Sequence, residues 1–160
     1  MRLPLTEEQR EHLRRVREEQ LAMWRDGRPQ VVDQMFVTDE VVRLMSGMGR
    51  ACYLGLDGRV WVGNLGEDKL PWMLDDPKEV ASCVVRWSGC IGLPELVDAL
   101  PLAPEGGTVC PLCQGSREMP DWVNDRGDGF RFYCKRCWGL GWVEPAEQSV
   151  SPDGAGRHGS

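Results

Sequence analysis

Two Cys-x-x-Cys pairs, Cys110/Cys113 and Cys134/Cys137, constrain the C-terminal part of this chain more than any other feature. Two intervening residues let both thiolates of a pair reach one metal ion, at zinc–sulfur distances of ~2.3 Å. A loop that turns back on itself can then bring the two pairs around a single ion. The spacing predicts one structural Zn²⁺ bound by all four cysteines, within a zinc ribbon spanning residues 108–144.

A glycine follows each pair at the same offset, Gly115 after the first and Gly139 after the second. Glycine readily adopts positive φ, which allows backbone N–H groups to turn toward the sulfurs. A redox-active pair would need a thioredoxin-like βαβ setting, which the sequence around neither pair predicts. Iron could occupy four thiolates in a rubredoxin-like site, but nothing in the sequence requires electron transfer. Zinc is therefore the preferred interpretation.

The segments Cys110-Pro-Leu-Cys-Gln-Gly-Ser and Cys134-Lys-Arg-Cys-Trp-Gly-Leu-Gly141 resemble the Cys-x-x-Cys-x-Gly-x-Gly modules of the DnaJ-type cysteine-rich zinc domain. They also resemble short bacterial zinc ribbons built from two such modules. The chaperone domain has four modules and two zinc ions, whereas this chain has two modules, enough for one ion. Ser116-Arg117 stands where the family has a second glycine, and the His-Pro-Asp signature of J-domains is absent from the sequence. The resemblance implies metal binding by the four cysteines and not co-chaperone activity.

The cysteine count and the net charge limit the classes of protein to which this sequence can belong. Seven cysteines is an odd number for a disulfide framework, and the opening residues lack the apolar core of a signal peptide. No apolar run approaches the ~18 residues of a membrane span. We therefore expect a cytoplasmic protein with reduced thiols and no membrane contact. A net charge of −6 argues against a protein that coats nucleic acid.

Residues 1–103 are predicted to form an α+β domain. Thr6 and Gln9 form a capping-box pattern that begins a helix over 6–26. Apolar spacing predicts two short helices over 29–47, the second beginning at Thr38. Asp57-Gly58 lies between two β-rich runs and predicts a hairpin over 51–65.

The rest of this domain is predicted to contain an edge strand near Leu70–Leu74, where Pro71 excludes a central position in the sheet. Helices follow over 77–91, with Pro77 in the first turn, and over 94–100. The expected fold is α+β: N-terminal helices packed on a small antiparallel β-meander, followed by the four-cysteine zinc ribbon. Residues 104–107 are interpreted as a linker, and residues 145–160 as a disordered tail.

Basic and aromatic residues alternate along the second half of the ribbon. They are candidate contacts for nucleic acid or for a partner: Arg131, Tyr133, Lys135, Arg136 and Trp138. The ribbon carries five basic and five acidic side chains between Gly106 and Glu144, so four thiolates and one Zn²⁺ bring it to −2. Phosphate would be repelled by that charge. Aromatic residues that cover the ribbon's own core are therefore the preferred interpretation, with nucleic-acid binding as the alternative.

Other chemically suggestive residues have structural explanations. Glu67-Asp68 and Asp75-Asp76 could pair as acid and base, but turn and capping roles explain them more simply. Buried free cysteine behaves as a small hydrophobe, so the remaining cysteines are expected in the core, as are four of the tryptophans: Cys52, Cys83, Cys90, Trp24, Trp61, Trp72 and Trp87.

The leading hypothesis from sequence is a small non-enzymatic protein with structural zinc that acts as an interaction or adaptor module for another protein. One alternative is a nucleic-acid-binding regulator that uses the basic and aromatic residues of the ribbon. The other is an enzyme with its site in the N-terminal domain. The sequence leaves the oligomeric state open.

Overall fold

The computed structural model describes residues 1–23, 40–47, 49–66, 69–123 and 127–144. Its regular elements are α1 (Glu7–Met23), β1 (Val41–Gly47), β2 (Arg50–Gly55), β3 (Val60–Asn64), β4 (Trp72–Met73), α2 (Pro77–Trp87), two 3₁₀ helices (Ser88–Ile91 and Pro94–Ala99), β5 (Thr108–Val109) and β6 (Trp142–Val143). Helices and an antiparallel four-stranded sheet make the fold α+β, as predicted.

The first helix begins where the sequence indicates. The Gln9 amide donates to the Thr6 hydroxyl at 3.1 Å, and the Thr6 amide donates to the Gln9 side chain at 3.0 Å, which completes the capping box. The helix can be followed to Met23. The predicted end of this helix, the short helix over 29–37, Trp24, Glu67-Asp68 and the tail over 145–160 all lie outside the described residues.

The second short helix, predicted to begin at Thr38 and continue to residue 47, is wrong: Val41–Gly47 is strand β1. It pairs antiparallel with β2, and Val42 lies opposite Leu54. Val42 and Leu44 belong to the main core, whereas Val41 belongs to a smaller cluster on the other face, together with Tyr53. Because both faces are covered, the strand has no polar–apolar alternation, and its apolar run cannot be distinguished from a helical one by periodicity.

The sheet has the order β1-β2-β3-β4, and β2 and β3 form the predicted hairpin around Asp57-Gly58. Gly58 has φ 91°, and a Cβ atom at this position would collide with the backbone of Leu3. The predicted third strand is confirmed as the short edge strand β4. At the opposite edge, the Gln20 side chain of α1 hydrogen-bonds both backbone groups of Arg43, at 2.8 and 2.9 Å, which fixes α1 to β1.

Helix α2 contributes four buried residues to the main core. The Asp76 carboxylate accepts a hydrogen bond from the Lys78 amide at 2.9 Å, and Pro77 occupies the first turn. Its buried residues are Val80, Ala81, Val84 and Val85. The predicted helices over 77–91 and 94–100 are present, although the last turn of the first and all of the second are 3₁₀ helices.

The ribbon packs directly on α2 and the segment that follows it. The Arg131 amide donates to the Arg86 carbonyl at 3.2 Å, and the Trp142 indole donates to the Pro101 carbonyl at 2.9 Å. Gly139 lies so close to α2 that a Cβ atom there would be 2.9 Å from Val85. The four ribbon cysteines belong to the same hydrophobic cluster as the residues of α2 and the sheet. The division into domains at residues 104–107 stays a prediction.

Candidate metal centre

Four cysteine side chains from two distant stretches of the chain meet inside the ribbon. Cys110, Cys113, Cys134 and Cys137 are all buried, and their sulfur atoms all lie within 4.8 Å of one another. Cys110 Sγ is 3.9 Å from Cys134 Sγ, and Cys113 Sγ is 3.6 Å from Cys137 Sγ. Among the residues that the structure describes, this is the only such cluster of cysteine, histidine or carboxylate side chains.

These separations fit a tetrahedral ion. Four sulfurs at ~2.3 Å from a central zinc would lie ~3.8 Å from each other. Two of the six sulfur–sulfur distances, 3.6 and 3.9 Å, fall on either side of that value, and all six are within 4.8 Å. A disulfide would require ~2.05 Å between sulfurs, and all seven cysteines are free. The four cysteines are therefore arranged to hold a metal ion.

Each Cys-x-x-Cys pair and the residues that follow it form a cysteine knuckle, over residues 110–117 and 134–141. The two knuckles have the same backbone shape. Gln114 and Gly115 have φ 52° and 88°, and their equivalents Trp138 and Gly139 have φ 61° and 92°. The expected positive φ at both glycines is present. In each knuckle the preceding residue is also left-handed although it carries a side chain, a conformation that costs roughly 1–2 kcal/mol.

Arg117 occupies the position where the first module lacks its second glycine. Its φ is 73°, against 83° for the equivalent Gly141, so the arginine adopts the conformation of the glycine that it replaces. Its guanidinium donates to the carbonyls of Leu140 at 2.8 Å and Gly139 at 3.3 Å, both in the other knuckle. The side chain thereby links the two knuckles, a role that sequence analysis missed.

Backbone hydrogen bonds cross between the knuckles in matching pairs. The Cys110 amide donates to the Gly141 carbonyl at 3.0 Å, and the Cys134 amide donates to the Arg117 carbonyl at 2.9 Å. Each bond joins the first cysteine of one knuckle to the seventh position after the first cysteine of the other. The two modules are therefore related by an approximate twofold arrangement around the sulfurs.

The same backbone turns direct amides at the sulfurs. The Gly141 amide donates to Cys137 Sγ at 3.2 Å. Burial raises the pKa of Cys137 and of Cys134 above the usual thiol value. Burial also opposes ionisation of Cys113, but amides of Arg117 and Gly115 bond to its sulfur, and its pKa is lowered overall. Binding of a metal ion by thiols whose pKa is raised by burial releases protons.

A tetrahedral ion held by these four cysteines would have no open coordination position, because the chain would supply all four ligands. No place would then remain for water or substrate. The chemistry that such a site would support is cross-linking of the fold.

The basic and aromatic residues of the ribbon are placed in different surroundings. Arg131 is largely covered, and its guanidinium donates to the Ser88 hydroxyl and the Pro94 carbonyl. Tyr133 stacks on Trp138 with 6.4 Å between ring centroids. Lys135 and Arg136 are exposed. The structure therefore brings Tyr133 and Trp138 together and covers most of Arg131, and the contact role of the five residues stays a prediction.

The other suggestive residues are dispersed. Asp76 caps α2, and Asp75 pairs with the N-terminal amine at 3.1 Å. Cys52 is buried and Cys83 is partly buried, as expected, whereas Cys90 is exposed. Trp72 is also exposed, contrary to the expected core position, because β4 is the edge of the sheet.

No helix in the described part of the chain is long and apolar enough to span a membrane. Comparison with protein-family models, with curated proteins and with solved structures found no match.

Proposed function

We propose that Cys110, Cys113, Cys134 and Cys137 bind one structural Zn²⁺ and that the protein acts as a non-enzymatic interaction module for another protein. The observation that carries the metal assignment is the meeting of four buried sulfurs within 4.8 Å. Zinc suits an all-thiolate tetrahedral site better than calcium or magnesium, which prefer oxygen ligands. A reducing compartment such as the cytoplasm would keep these thiols available.

The metal in this proposal stabilises more than the ribbon. The four cysteines share a hydrophobic cluster with Val84 and Val85 of α2, so loss of the ion would loosen the packing of the ribbon on that helix. Hydrogen exchange of the intact chain, with and without a chelator, tests this. We expect amides of α2 to lose protection together with those of the ribbon. Unchanged protection in both would show that the protein has no structural metal.

The partner-binding role is supported by exposed apolar side chains in the first knuckle and in the segment that precedes it. Leu102, Val109 and Leu112 are 84%, 62% and 43% exposed. Large apolar side chains left in water are candidates for burial against a partner protein. A photoreactive residue in place of Leu112 should cross-link one discrete partner in cells, whereas the same residue in place of exposed Glu8 should not. Equal cross-linking from both positions would contradict the role.

Nucleic-acid binding is the weaker alternative. Arg131 already bonds to Ser88 and Pro94, which leaves Lys135 and Arg136 as the exposed cations among the five candidate residues. Titration of the intact protein with single-stranded DNA at low and high salt distinguishes the two functions, because phosphate contacts weaken steeply with salt.

A further inference from the structure

A cleft of about 430 Å³ lies between the sheet, α2 and the second cysteine knuckle. Small-molecule sites occupy roughly 300–1,000 Å³, so the cleft is large enough for a modest ligand. Its walls come from three parts of the chain, represented by Arg50 of β2, Arg86 of α2 and Trp138 of the ribbon. The cleft is separate from the four-cysteine centre, and an inference about it goes beyond the proposed zinc-dependent function.

Two guanidinium groups line this cleft. Arg50 is exposed, and Arg86 is partly covered by aromatic rings, with its Cζ 5.2 Å from the ring centre of Trp87 and 5.9 Å from that of Tyr133. The Nε of Arg86 is buried and has no hydrogen-bond partner among the described residues. Ring contacts occupy the faces of a guanidinium and leave its N–H groups for an acceptor. An acceptor supplied by a ligand would satisfy this buried donor.

The described charged residues that line the cleft carry a net positive charge in an otherwise acidic protein. Arg50 and Arg86 outweigh Glu79, which also lines it. A hydrogen bond from Cys83 lowers the pKa of Cys52 most, and the positive charges of Arg50 and Arg86 lower it further, against the effect of burial. An anionic group would be favoured here.

Aromatic rings complete the cleft. Trp72 and Trp138 both line it and are 44% and 42% exposed, and Tyr133 lies beside Trp138. Two partly exposed tryptophans in the lining of one cleft provide flat surfaces on which a planar ring can stack. Aromatic side chains stack on bases in this way in single-stranded nucleic-acid complexes.

We propose that this cleft binds a small ligand that joins a planar aromatic ring to a phosphate monoester, the chemistry of a nucleoside monophosphate. A phosphate monoester carries a charge of about −1.5 to −2 near neutral pH, which two guanidinium groups can match. Binding of a nucleic-acid polymer is disfavoured, because the protein has a net charge of −6 and repels extended polyanions. A single phosphate group interacts mainly with the charges of the cleft itself.

Calorimetric titration of the intact, zinc-loaded protein with AMP and GMP tests the proposal. We expect saturable binding at one site per chain by at least one of the two. Arg50→Gln and Arg86→Gln should each weaken it by about tenfold, since each removes a charge-assisted hydrogen bond. The matched control is Arg2→Gln, which removes an exposed arginine outside the cleft and should leave the affinity unchanged.

Fragments of the ligand test the phosphate-binding and the ring-binding parts of the site one at a time. Adenosine lacks the phosphate and ribose 5-phosphate lacks the ring, and both should bind at least tenfold more weakly than AMP. Because Arg86 packs among aromatic rings and its replacement could unfold the protein, the exposed Arg50 supplies the decisive variant. The proposal is overturned if neither nucleotide binds at millimolar concentration or if Arg50→Gln has no effect. Ribose 5-phosphate that binds as tightly as AMP would also overturn it.

Discussion

The guanidinium of Arg131 donates a 2.8 Å hydrogen bond to the hydroxyl of Ser88, a residue forty-three positions earlier in the chain. Ser88 is the first residue of the 3₁₀ turn that follows α2, and it is fully buried. A second bond from Arg131 reaches the Pro94 carbonyl at 2.9 Å. The sequence suggests Arg131 as a candidate phosphate contact, but in the structure its side chain holds the ribbon against the N-terminal elements.

Arg131→Ala should destabilise the zinc-loaded protein by about 1–3 kcal/mol, because it leaves the buried Ser88 hydroxyl without this donor. Urea unfolding followed by tryptophan fluorescence measures the change. The exposed Arg136→Ala is the matched control and should alter the free energy of unfolding by less than about 0.5 kcal/mol. Equal effects of the two substitutions would show that Arg131 does not attach the ribbon.

Arg117→Gly and Arg117→Ala separate the two roles of this residue. Both variants lose the bonds to Leu140 and Gly139, but only alanine retains a side chain at φ 73°. We therefore expect the alanine variant to have a lower thermal midpoint than the glycine variant, by the equivalent of ~1 kcal/mol. The reverse order would mean that the left-handed backbone at Arg117 is not required.

Gly139→Ala tests how closely the ribbon packs on α2. The new Cβ would lie 2.9 Å from Val85 at a backbone φ of 92°. Gly49 has φ 78°, and no atom lies within 4 Å of the position that its Cβ would occupy, so Gly49→Ala imposes the backbone penalty alone. We expect the Gly139 variant to lose about 1–3 kcal/mol more stability than the Gly49 variant, through overpacking. Equal losses by chemical denaturation would indicate that the ribbon does not contact α2 in solution.

Zinc affinity should increase with pH. Burial raises the pKa of Cys134 and Cys137, so these thiols hold protons near neutral pH in the metal-free protein, and zinc must displace them. Competition with a chelator of known affinity should give a zinc dissociation constant that falls from about pH 6 to about pH 8. A pH-independent constant would contradict binding by thiolates.

Local signals in the sequence predicted much of the fold and all four cysteines of the candidate centre. The Thr6–Gln9 capping box, the Asp57-Gly58 turn and the Cys-x-x-Cys spacing each depend on residues a few positions apart. Their geometry is set by short-range sterics and hydrogen bonding, so neighbours in sequence suffice.

Features that depend on distant contacts could not be predicted in this way. Strand β1 resembles a helix in sequence because both of its faces are buried, which only the finished packing decides. The acceptors of Arg131 lie in segments that precede the ribbon. The cleft needs Arg50, Arg86 and Trp138 together, and no spacing within the sequence relates them.

The zinc content of the purified protein and its cysteine variants tests the central claim most directly. Elemental analysis should find about one equivalent of zinc per chain in the intact protein and in Cys52→Ser and Cys90→Ser, whose cysteines lie outside the cluster. Cys110→Ser and Cys134→Ser should lose most of it. Full zinc retention in those two variants, or far less than one equivalent in the intact protein, would contradict a four-cysteine structural zinc site.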